Sequence, residues 1–411
     1  MIRIHPFRAV RPRLDLAPQV ASLPYDVMNR QEAARMAQGH PHSMLRVTRS
    51  EIEFPESVDV HADAVYAKAR ENLDHFEQEG ILVQDSTPCF YVYRQTMQGR
   101  SQYGLVTCVE AAQYFDNTIK KHELTRADKE EDRLRHILTT NCQTGPVFLT
   151  YRDAGQYDLF SKACAQKPLY DFTAEDGIGH TVWQIADPAL MEALRQSFSQ
   201  IEFAYIADGH HRSAAGARSA QARAAANPAH KGDEEYNRFQ AILFPSTQLK
   251  ILDYNRLLKT WNGLNAASLL EKLSTIFTLQ PLAQMQSPEM HQVNLYLQGQ
   301  WYNCAFLPQH LQNLDAVNSL DVALLQNLVL KPFFGVDDPR TSKDIDFIGG
   351  IRGLGELKER VDSGDGVCAF AMHPTTLDQL MAIADAGQIM PPKSTWFEPK
   401  LRDGLLIHRL D

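Results

Sequence analysis

The chain has 411 residues, of which 44% are hydrophobic and 22% charged, which is close to ordinary globular usage. It is long enough to bury a large core and contains no low-complexity run, so we expect it to fold throughout. Its 41 basic and 50 acidic residues give a net charge of −9, which opposes nonspecific binding to nucleic acid or to an anionic membrane surface. We therefore expect neither nucleic acid nor a membrane among its partners.

The first residues and the cysteines favour a cytoplasmic protein. The segment MIRIHPFRAVRPRLDL has positive charges but neither an apolar core nor a small-residue cleavage site, so it does not predict a secretory signal. No apolar stretch approaches the roughly 20 residues that span a bilayer. The six cysteines form no CxxC pair, and HExxH and Cys–His zinc patterns are absent. A disulfide framework and a structural zinc site are therefore disfavoured.

The first half of the chain alternates between helix and strand signals. A surface helix over 61–80 is predicted by apolar residues at helical spacing, which are Ala64, Ala67, Leu73 and Phe76. Two β-rich runs over 89–114 predict a hairpin that turns at Gln98–Gly99–Arg100. A second helix is predicted from about Arg126 to Thr139, and its start resembles an acidic version of the capping box formed by Thr125 with Asp128.

A strand-turn-helix unit follows in the middle of the chain. Residues 202–207 are apolar and predict a short strand, and Asp208 with Gly209 turns the chain. The alanine-rich run from about His211 to Ala226 strongly favours a helix.

The last part of the chain adds further strands and helices. RFQAILFP and LKILDY predict a strand pair, and VNLYLQGQWYNCAF predicts a hairpin that turns at Gly299. Helices are predicted at 264–276, 319–330 and 376–386. Because strands and helices mingle throughout, we expect a mixed α/β (α+β) architecture.

The strongest chemical signal is the turn of the strand-turn-helix unit. Gly209 lets the backbone turn tightly, and the free amides of the helix N-terminus attract anions there. Arg212 can pair two phosphate oxygens, while His210 and His211 can donate to the same oxygens. Asp208 can hold Mg²⁺ or accept a hydroxyl proton. The alternative is that Asp208 caps the helix and the histidines are ordinary surface groups.

A second charged cluster begins with KHELT at 121–125. Glu123 can act as general base or metal ligand, and Lys121 can neutralise phosphate. Arg133 follows on the predicted helix, where spacings of three and four residues place charges on one face. A solvated helix with internal ion pairs explains the same pattern.

A third cluster, MPPKSTWFEPK at 390–400, has three prolines that stiffen a loop with two lysines and two hydroxyls. Lys393 and Lys400 can grip a phosphate or a carboxylate, while Trp396 and Phe397 anchor the loop. A packed C-terminal strand with solvated lysines is the alternative.

Four segments, LPYDV, KHELT with the later DR, IADGHHR and MPPKSTWFEPKL, resemble a widespread prokaryotic family catalogued as a domain of unknown function. The resemblance spans nearly the whole chain. The IADGHHR box also resembles the phosphate-binding box of the ParB/sulfiredoxin superfamily, which includes archaeal free-serine kinases with a similar DGHHR segment. The resemblance implies a ParB/sulfiredoxin-like nucleotide-binding core over 91–280, an N-terminal region over 1–90, and a C-terminal α/β region over 281–411 that contributes a loop to the site.

The resemblance further implies an ATP-dependent kinase that phosphorylates free L-serine to O-phosphoserine. Its cofactors are Mg²⁺ and ATP, with ADP as another nucleotide. Sulfiredoxins need a cysteine where His210 stands, so sulfinic-acid reduction is disfavoured. Asp208 and Glu123 are expected to be catalytic, with Asp208 also the metal ligand. Nucleotide contacts are expected from Gly209, His210, His211, Arg212, Lys121, His122, Arg133 and Lys393. Substrate contacts are expected from Thr125, Ser394, Thr395 and Lys400.

Two other functions stay open from the sequence. One is a ParB-like nucleotide-gated binding protein, which should carry basic DNA-facing helices that the acidic charge balance disfavours. The other is a kinase or phosphatase of another small hydroxylated metabolite, because the phosphate box does not read the acceptor. The nucleotide preference, the identity of the general base and the formation of a homodimer also stay open.

Overall fold

The computed structural model describes residues 1–411. Its α-helices are α1 Ala17–Val20, α2 Arg30–Ala37, α3 Leu45–Thr48, α4 Asp63–Gln78, α5 Ala112–Phe115, α6 Ala127–Thr140, α7 Tyr157–Cys164, α8 Pro188–Phe198, α9 His210–Ala226, α10 Ala266–Leu273, α11 Asp321–Leu325, α12 Lys331–Phe334, α13 Gly353–Asp362 and α14 Leu377–Asp385. A π-helical turn, Gln326–Leu330, joins α11 to α12.

The strands are β1 Ile4–His5, β2 Val10–Pro12, β3 Leu82–Gln84, β4 Phe90–Met97, β5 Arg100–Glu110, β6 Ile119–Lys120, β7 Cys142–Gln143, β8 Val147–Tyr151, β9 Tyr170–Thr173, β10 Gly179–Ile185, β11 Ala204–Asp208, β12 Arg238–Pro245, β13 Ile251–Leu252, β14 Tyr254–Leu258, β15 Phe277–Leu282, β16 Gln292–Leu297, β17 Gln300–Phe306, β18 Ile345–Gly349, β19 Cys368–Met372, β20 Trp396–Phe397 and β21 His408–Arg409. The predicted mixed α/β fold is confirmed.

The chain forms two compact units, residues 1–249 with 399–411, and residues 250–398. The predicted region boundaries after residues 90 and 280 fall inside β4 and β15. The three-region division and the ParB/sulfiredoxin-like core stay predictions.

The first unit is built on a nine-stranded sheet with the order β6-β11-β8-β12-β5-β4-β10-β9, and β1 pairs with β5. Most neighbours are antiparallel, but β11 runs parallel to β6, and β12 runs parallel to β8. Helices cover the sheet, since Leu149 and Leu243 from strands share one buried cluster with Phe198 and Ala217 from helices. The site described below lies at one end of β11, inside this sheet.

The hairpin predicted over 89–114 is confirmed as β4 and β5. Gln98 and Gly99 form its turn with φ of 50° and 79°. Two consecutive residues with positive φ match the right-handed twist of paired strands.

The predicted surface helix is confirmed as α4, and two of the four residues predicted for its apolar face, Leu73 and Phe76, are buried. Val65, Ala69, Leu73 and Phe76 are buried at helical spacing, whereas Ala64 and Ala67 are exposed. The two alanines were placed on the wrong face because small residues do not mark an apolar stripe by themselves.

Helix α6 is confirmed, but its predicted capping box is wrong. Arg126 occupies the N-cap position, and no side chain caps the helix. Thr125 instead donates its hydroxyl to Glu130.

The predicted pairing of RFQAILFP with LKILDY is also wrong. Strand β12 pairs with β5 and β8, while β13 pairs with β20. Both segments are strands, but a sequence pattern does not specify which strand becomes the neighbour.

The second unit contains a six-stranded antiparallel sheet with the order β15-β17-β16-β19-β14-β18. The predicted hairpin at Gly299 is confirmed as β16 and β17. Leu257, Tyr296 and Leu357 belong to its buried core.

No helix of the chain has both the length and the apolar character needed to cross a membrane. All six cysteines are free thiols.

Candidate functional site

The site is centred on the turn between β11 and α9. The strand ends at Asp208, Gly209 adopts a left-handed conformation with φ of 86°, and the helix begins at His210. A Cβ atom at position 209 would lie 3.0 Å from Nε of Arg212. Glycine therefore meets both a conformational and a steric requirement. The helix N-terminus opens at this turn and leaves its first amides without intrahelical acceptors.

Asp208 joins the turn to the C-terminal segment. Its Oδ1 accepts a hydrogen bond from the Gly209 amide at 2.8 Å, and its Oδ2 lies 3.0 Å from Nζ of Lys400. Burial alone would raise the pKa of this carboxyl group, but the charges of Lys400 and Arg212 outweigh burial and hold the pKa well below its ordinary value. The buried Gln95 donates to the Lys400 carbonyl at 2.9 Å, which fixes the backbone of the lysine. Asp208 is therefore an ionised, anchored carboxylate.

Arg212 is a buried cation beneath the turn. Only 8% of its surface is exposed, and its Nη1 donates to the Pro146 carbonyl at 2.6 Å. Burial opposes its charge, but the carboxylates of Asp26, Asp208 and Asp403 raise its pKa. Its charge balances these acids and adds positive potential below the helix N-terminus.

A small cavity of about 30 Å³ lies next to Arg212 and is also lined by Tyr25, Arg133 and Asp403. The guanidinium of Arg133 stacks over the Tyr25 ring at 4.0 Å and pairs with Asp132 at 2.7 Å. This space accommodates a water molecule or a small polar group next to two arginines.

Asp403 is a site residue that was not predicted from the sequence. It is fully buried, and burial raises its pKa to about 7 against the opposing charge of Arg212. The available signal was an aspartate-glycine pair inside the run LRDGLLIH, in which Arg402 and His408 are the other polar residues. Such a pair ordinarily indicates only a turn, so the signal was weak.

Two histidines and a glutamate form a second group beside the turn. The rings of His122 and His210 meet edge to face with centroids 4.6 Å apart, and Glu123 Oε2 lies 3.5 Å from His210 Nδ1. The histidines are 2% and 6% exposed, whereas the Glu123 side chain is 51% exposed. One ligand atom from each of the three residues lies within 4.8 Å of the others.

Both histidines of this group are neutral. Burial lowers the pKa of His122 to about 4, although Asp208 and the Ile206 backbone favour its protonated form. Burial and the neighbouring His122 hold the pKa of His210 well below its ordinary value. Both ring nitrogens of His122 and Nε2 of His210 are buried without a partner in good hydrogen-bond geometry. Buried, unsatisfied ring nitrogens are unusual in folded proteins and indicate a place for a ligand.

Three other predicted residues contact groups outside this cluster. His211 accepts a hydrogen bond from the Arg126 amide at 3.1 Å, and burial lowers its pKa. Lys121 donates to the Tyr114 carbonyl at 3.0 Å and lies over the ring of Tyr114. Thr125 bonds Glu130, as described above. Their predicted ligand contacts stay predictions.

Lys393, Ser394 and Thr395 belong to the second unit. Lys393 has a left-handed backbone with φ of 58°, and its Nζ lies 5.5 Å from the centre of the Tyr254 ring. Ser394 is buried and donates to the Pro391 carbonyl at 2.6 Å. The predicted contacts of these residues with nucleotide and substrate also stay predictions.

A family model described as "Protein of unknown function (DUF1015)" matches residues 4–323 of the chain. A search of curated proteins finds no match.

Several solved structures resemble the chain weakly. A conserved hypothetical protein from Pyrococcus furiosus is 12% identical, covering 73% of this chain and 94% of its own, with a TM-score of 0.36. A free serine kinase in complex with AMP is 13% identical, covering 73% and 91%, with a TM-score of 0.34. SbnI with a C-terminal truncation, from Staphylococcus aureus, is 11% identical, covering 72% and 85%, with a TM-score of 0.36. Likenesses this weak carry no argument about activity.

Proposed function

This chain belongs to the DUF1015 family of proteins of unknown function, and we propose that it is an ATP-dependent kinase that phosphorylates free L-serine to O-phosphoserine. The observation that carries the proposal is the Gly209 turn, where a long helix begins above a buried arginine and beside an anchored lysine.

The turn supplies what a phosphoryl group needs. Phosphoryl transfer is catalysed mainly by positioning and by stabilising negative charge. In this proposal the first amides of α9 bind phosphate oxygens, as helix N-termini commonly do. Lys400 is held by Asp208 at 3.0 Å and faces the turn as a second cationic group. Arg212 adds positive potential from below without needing direct contact.

The two carboxylates of the site have different proposed tasks. Asp208 is ionised and already accepts two hydrogen bonds, which suits an anchor for Lys400 or a ligand of Mg²⁺ more than a strong base. Its free lone pairs are hard oxygen donors, which fit Mg²⁺. Glu123 is half exposed and lies beside the histidines, so it is the better candidate to accept the proton of the acceptor hydroxyl.

The choice of L-serine rests on the resemblance of IADGHHR to the box of free-serine kinases, because the turn recognises phosphate and not the acceptor. When bound, ATP with Mg²⁺ supplies the transferable phosphoryl group. The chain's own groups bind it, orient the hydroxyl and hold the displaced proton.

The direct test incubates the purified protein with ATP, Mg²⁺ and L-serine and measures O-phosphoserine by mass spectrometry. We expect product from the native protein and a rate lower by at least about 100-fold for Asp208→Asn, because this change removes the charge that holds Lys400 and a ligand of Mg²⁺. Asp158→Asn, which changes an exposed carboxylate of α7, is the matched control and should keep the native rate. The proposal fails if the native protein makes no O-phosphoserine with ATP or ADP, or if Asp208→Asn is as fast as the control.

A further inference from the structure

The group formed by His122, Glu123 and His210 has the chemistry of a metal centre. Neutral imidazole nitrogens are common ligands of divalent transition metals, and a carboxylate is the usual companion. Both histidines are more than nine-tenths buried, and both ring nitrogens of His122 have no hydrogen-bond partner in good geometry. A buried polar atom without a partner destabilises the folded state, so a ligand that satisfies it stabilises the fold.

The spacing of the group also fits an ion. Ligand atoms about 2.0–2.2 Å from a metal lie roughly 3–4 Å from one another. The 3.5 Å between Glu123 Oε2 and His210 Nδ1 falls in that range, and it is long for a direct hydrogen bond. The third ligand atom, from His122, lies within 4.8 Å of both. A small side-chain rotation would therefore bring all three atoms within bonding distance of one ion.

We propose that His122, Glu123 and His210 bind a divalent transition-metal ion of the Zn²⁺ and Co²⁺ class. Mg²⁺ prefers oxygen ligands and octahedral geometry, so a site with two imidazoles selects against it. Three protein ligands leave at least one coordination position for water or another ligand. The site is separate from the Mg²⁺ ligand role proposed for Asp208, but it shares Glu123 with the proposed proton acceptor. Binding of the ion through Oε2 alone leaves Oε1 of Glu123 for that proton.

Metal binding by these residues does not depend on the proposed phosphoryl transfer. Only one extension rests on the proposed function: phosphate oxygens bound at the Gly209 turn would then occupy the open position. His122 and His210 would in that case act on phosphate through the ion and not by direct hydrogen bonds.

Co²⁺ titration of the full chain, without nucleotide, tests the site. Co²⁺ bound by two nitrogens and a carboxylate in low coordination gives intense visible absorption, whereas hydrated Co²⁺ gives little. We expect saturation at a single ion per chain, displacement by Zn²⁺ and no displacement by Mg²⁺. Absence of a saturable visible band overturns the proposal.

Three variants locate the ion. His122→Ala and Glu123→Gln should each weaken Co²⁺ binding by at least about tenfold, because even outer-shell partners of a metal contribute that much. His211→Ala, which removes the adjacent histidine outside the group, should bind Co²⁺ like the native protein. Glu123 is exposed, so Glu123→Gln gives a folded protein even if the buried His122 variant does not fold. Unchanged affinity in Glu123→Gln, or equal losses in His211→Ala, contradicts the assignment.

The titration is independent of the kinase assay. Co²⁺ binding that depends on His122 and Glu123, together with no O-phosphoserine formed in the presence of Mg²⁺, supports the metal site and rejects the proposed function. Formation of O-phosphoserine by a protein that binds no Co²⁺ supports the proposed function and rejects the metal site.

Discussion

At the scale of single residues, Gly209 has a backbone conformation that favours glycine, and it lies where we propose that ATP binds. Replacement by alanine places a side chain in the left-handed region, which costs about 1–2 kcal/mol, and brings a Cβ within 3.0 Å of Arg212 Nε. We expect Gly209→Ala to lower the free energy of unfolding by about that amount and to weaken ATP binding by at least about tenfold. Urea unfolding and calorimetric titration with ATP measure the two effects.

Gly155 provides a matched control for the strain alone. Its φ is 88°, and an added Cβ would meet nothing within 4 Å. Gly155→Ala should therefore lose a similar amount of stability from the left-handed conformation but keep its ATP affinity. Equal ATP affinities in the two variants would show that the turn at 209 does not form the nucleotide site.

Asp403 makes stability depend on pH. Burial raises its pKa to about 7 in the folded protein, so it holds a proton between about pH 4 and 7 that the unfolded chain has released. The folded state binds more protons there, and the free energy of unfolding therefore falls as pH rises through this window, by up to about 4 kcal/mol. Asp208 has a lowered pKa and contributes in the opposite direction, at more acidic pH.

The comparison of native protein with Asp403→Asn isolates this effect. The variant lacks the titrating group, so its stability relative to the native protein should increase as pH rises from about 5 to about 8. Urea unfolding at both pH values measures the difference. A constant difference would mean that Asp403 titrates in the folded protein as it does in the unfolded chain.

At the scale of elements, the packing of α9 on β12 depends on a glycine inside the helix. A Cβ at Gly216 would lie 2.9 Å from Cβ of Phe239, so the helix approaches the strand closely at this point. Overpacking a tight contact costs about 1–3 kcal/mol, which exceeds the roughly 1 kcal/mol that alanine gains over glycine in a helix. We expect Gly216→Ala to lower the free energy of unfolding, as measured in urea.

At Gly355 the same substitution to alanine is expected to raise the free energy of unfolding. It lies exposed in α13, and an added Cβ would meet nothing within 4 Å. Gly355→Ala should raise the free energy of unfolding by about 1 kcal/mol from helix propensity alone. Stabilisation by both substitutions would show that Gly216 is not in close contact with β12.

Local signals in the sequence predicted the helices and strands more reliably than they predicted the contacts between them. The strand-turn-helix unit around Asp208 was predicted because apolar residues, a glycine and an alanine-rich run act over a few neighbouring positions. The partner of β12 was predicted wrongly because strand pairing depends on residues more than a hundred positions away, such as those of β5. The contact of Lys400 with Asp208, across 192 positions, likewise has no local signal.

The residue types of the site could be predicted from the sequence, but the burial and protonation of their side chains could not. The sequence placed His122, Glu123 and His210 among the candidate residues, yet the burial of two rings and their unsatisfied nitrogens follow only from the fold. Asp403 was missed because its raised pKa comes from burial, which a single aspartate in a turn signal does not indicate.

At the scale of the whole molecule, the chain leaves the first unit after residue 249 and returns to it at residue 399. The returning 13 residues, 399–411, are mostly buried there, and Ile407 exchanges two backbone hydrogen bonds with Val10. Strand β21 pairs with β7, and Lys400 pairs with Asp208. The last residues therefore complete both the core of the first unit and its candidate site.

Two changes at this end separate the structural contribution from the chemical one. Deletion of 399–411 exposes apolar surface and removes strand pairing, so we expect the first unit to lose its cooperative unfolding transition.

Lys400→Met keeps the aliphatic stem and removes only the charge, so the variant should fold while its rate of O-phosphoserine formation falls by at least about 100-fold. Circular dichroism during heating and the mass-spectrometric assay give the two readouts. Because Oδ2 of Asp208 then loses its ammonium partner, the pKa of Asp208 should rise toward the ordinary value, and the variant should be less stable at neutral pH than the native protein. A Lys400→Met protein with native stability and native rate would show that the segment contributes packing alone.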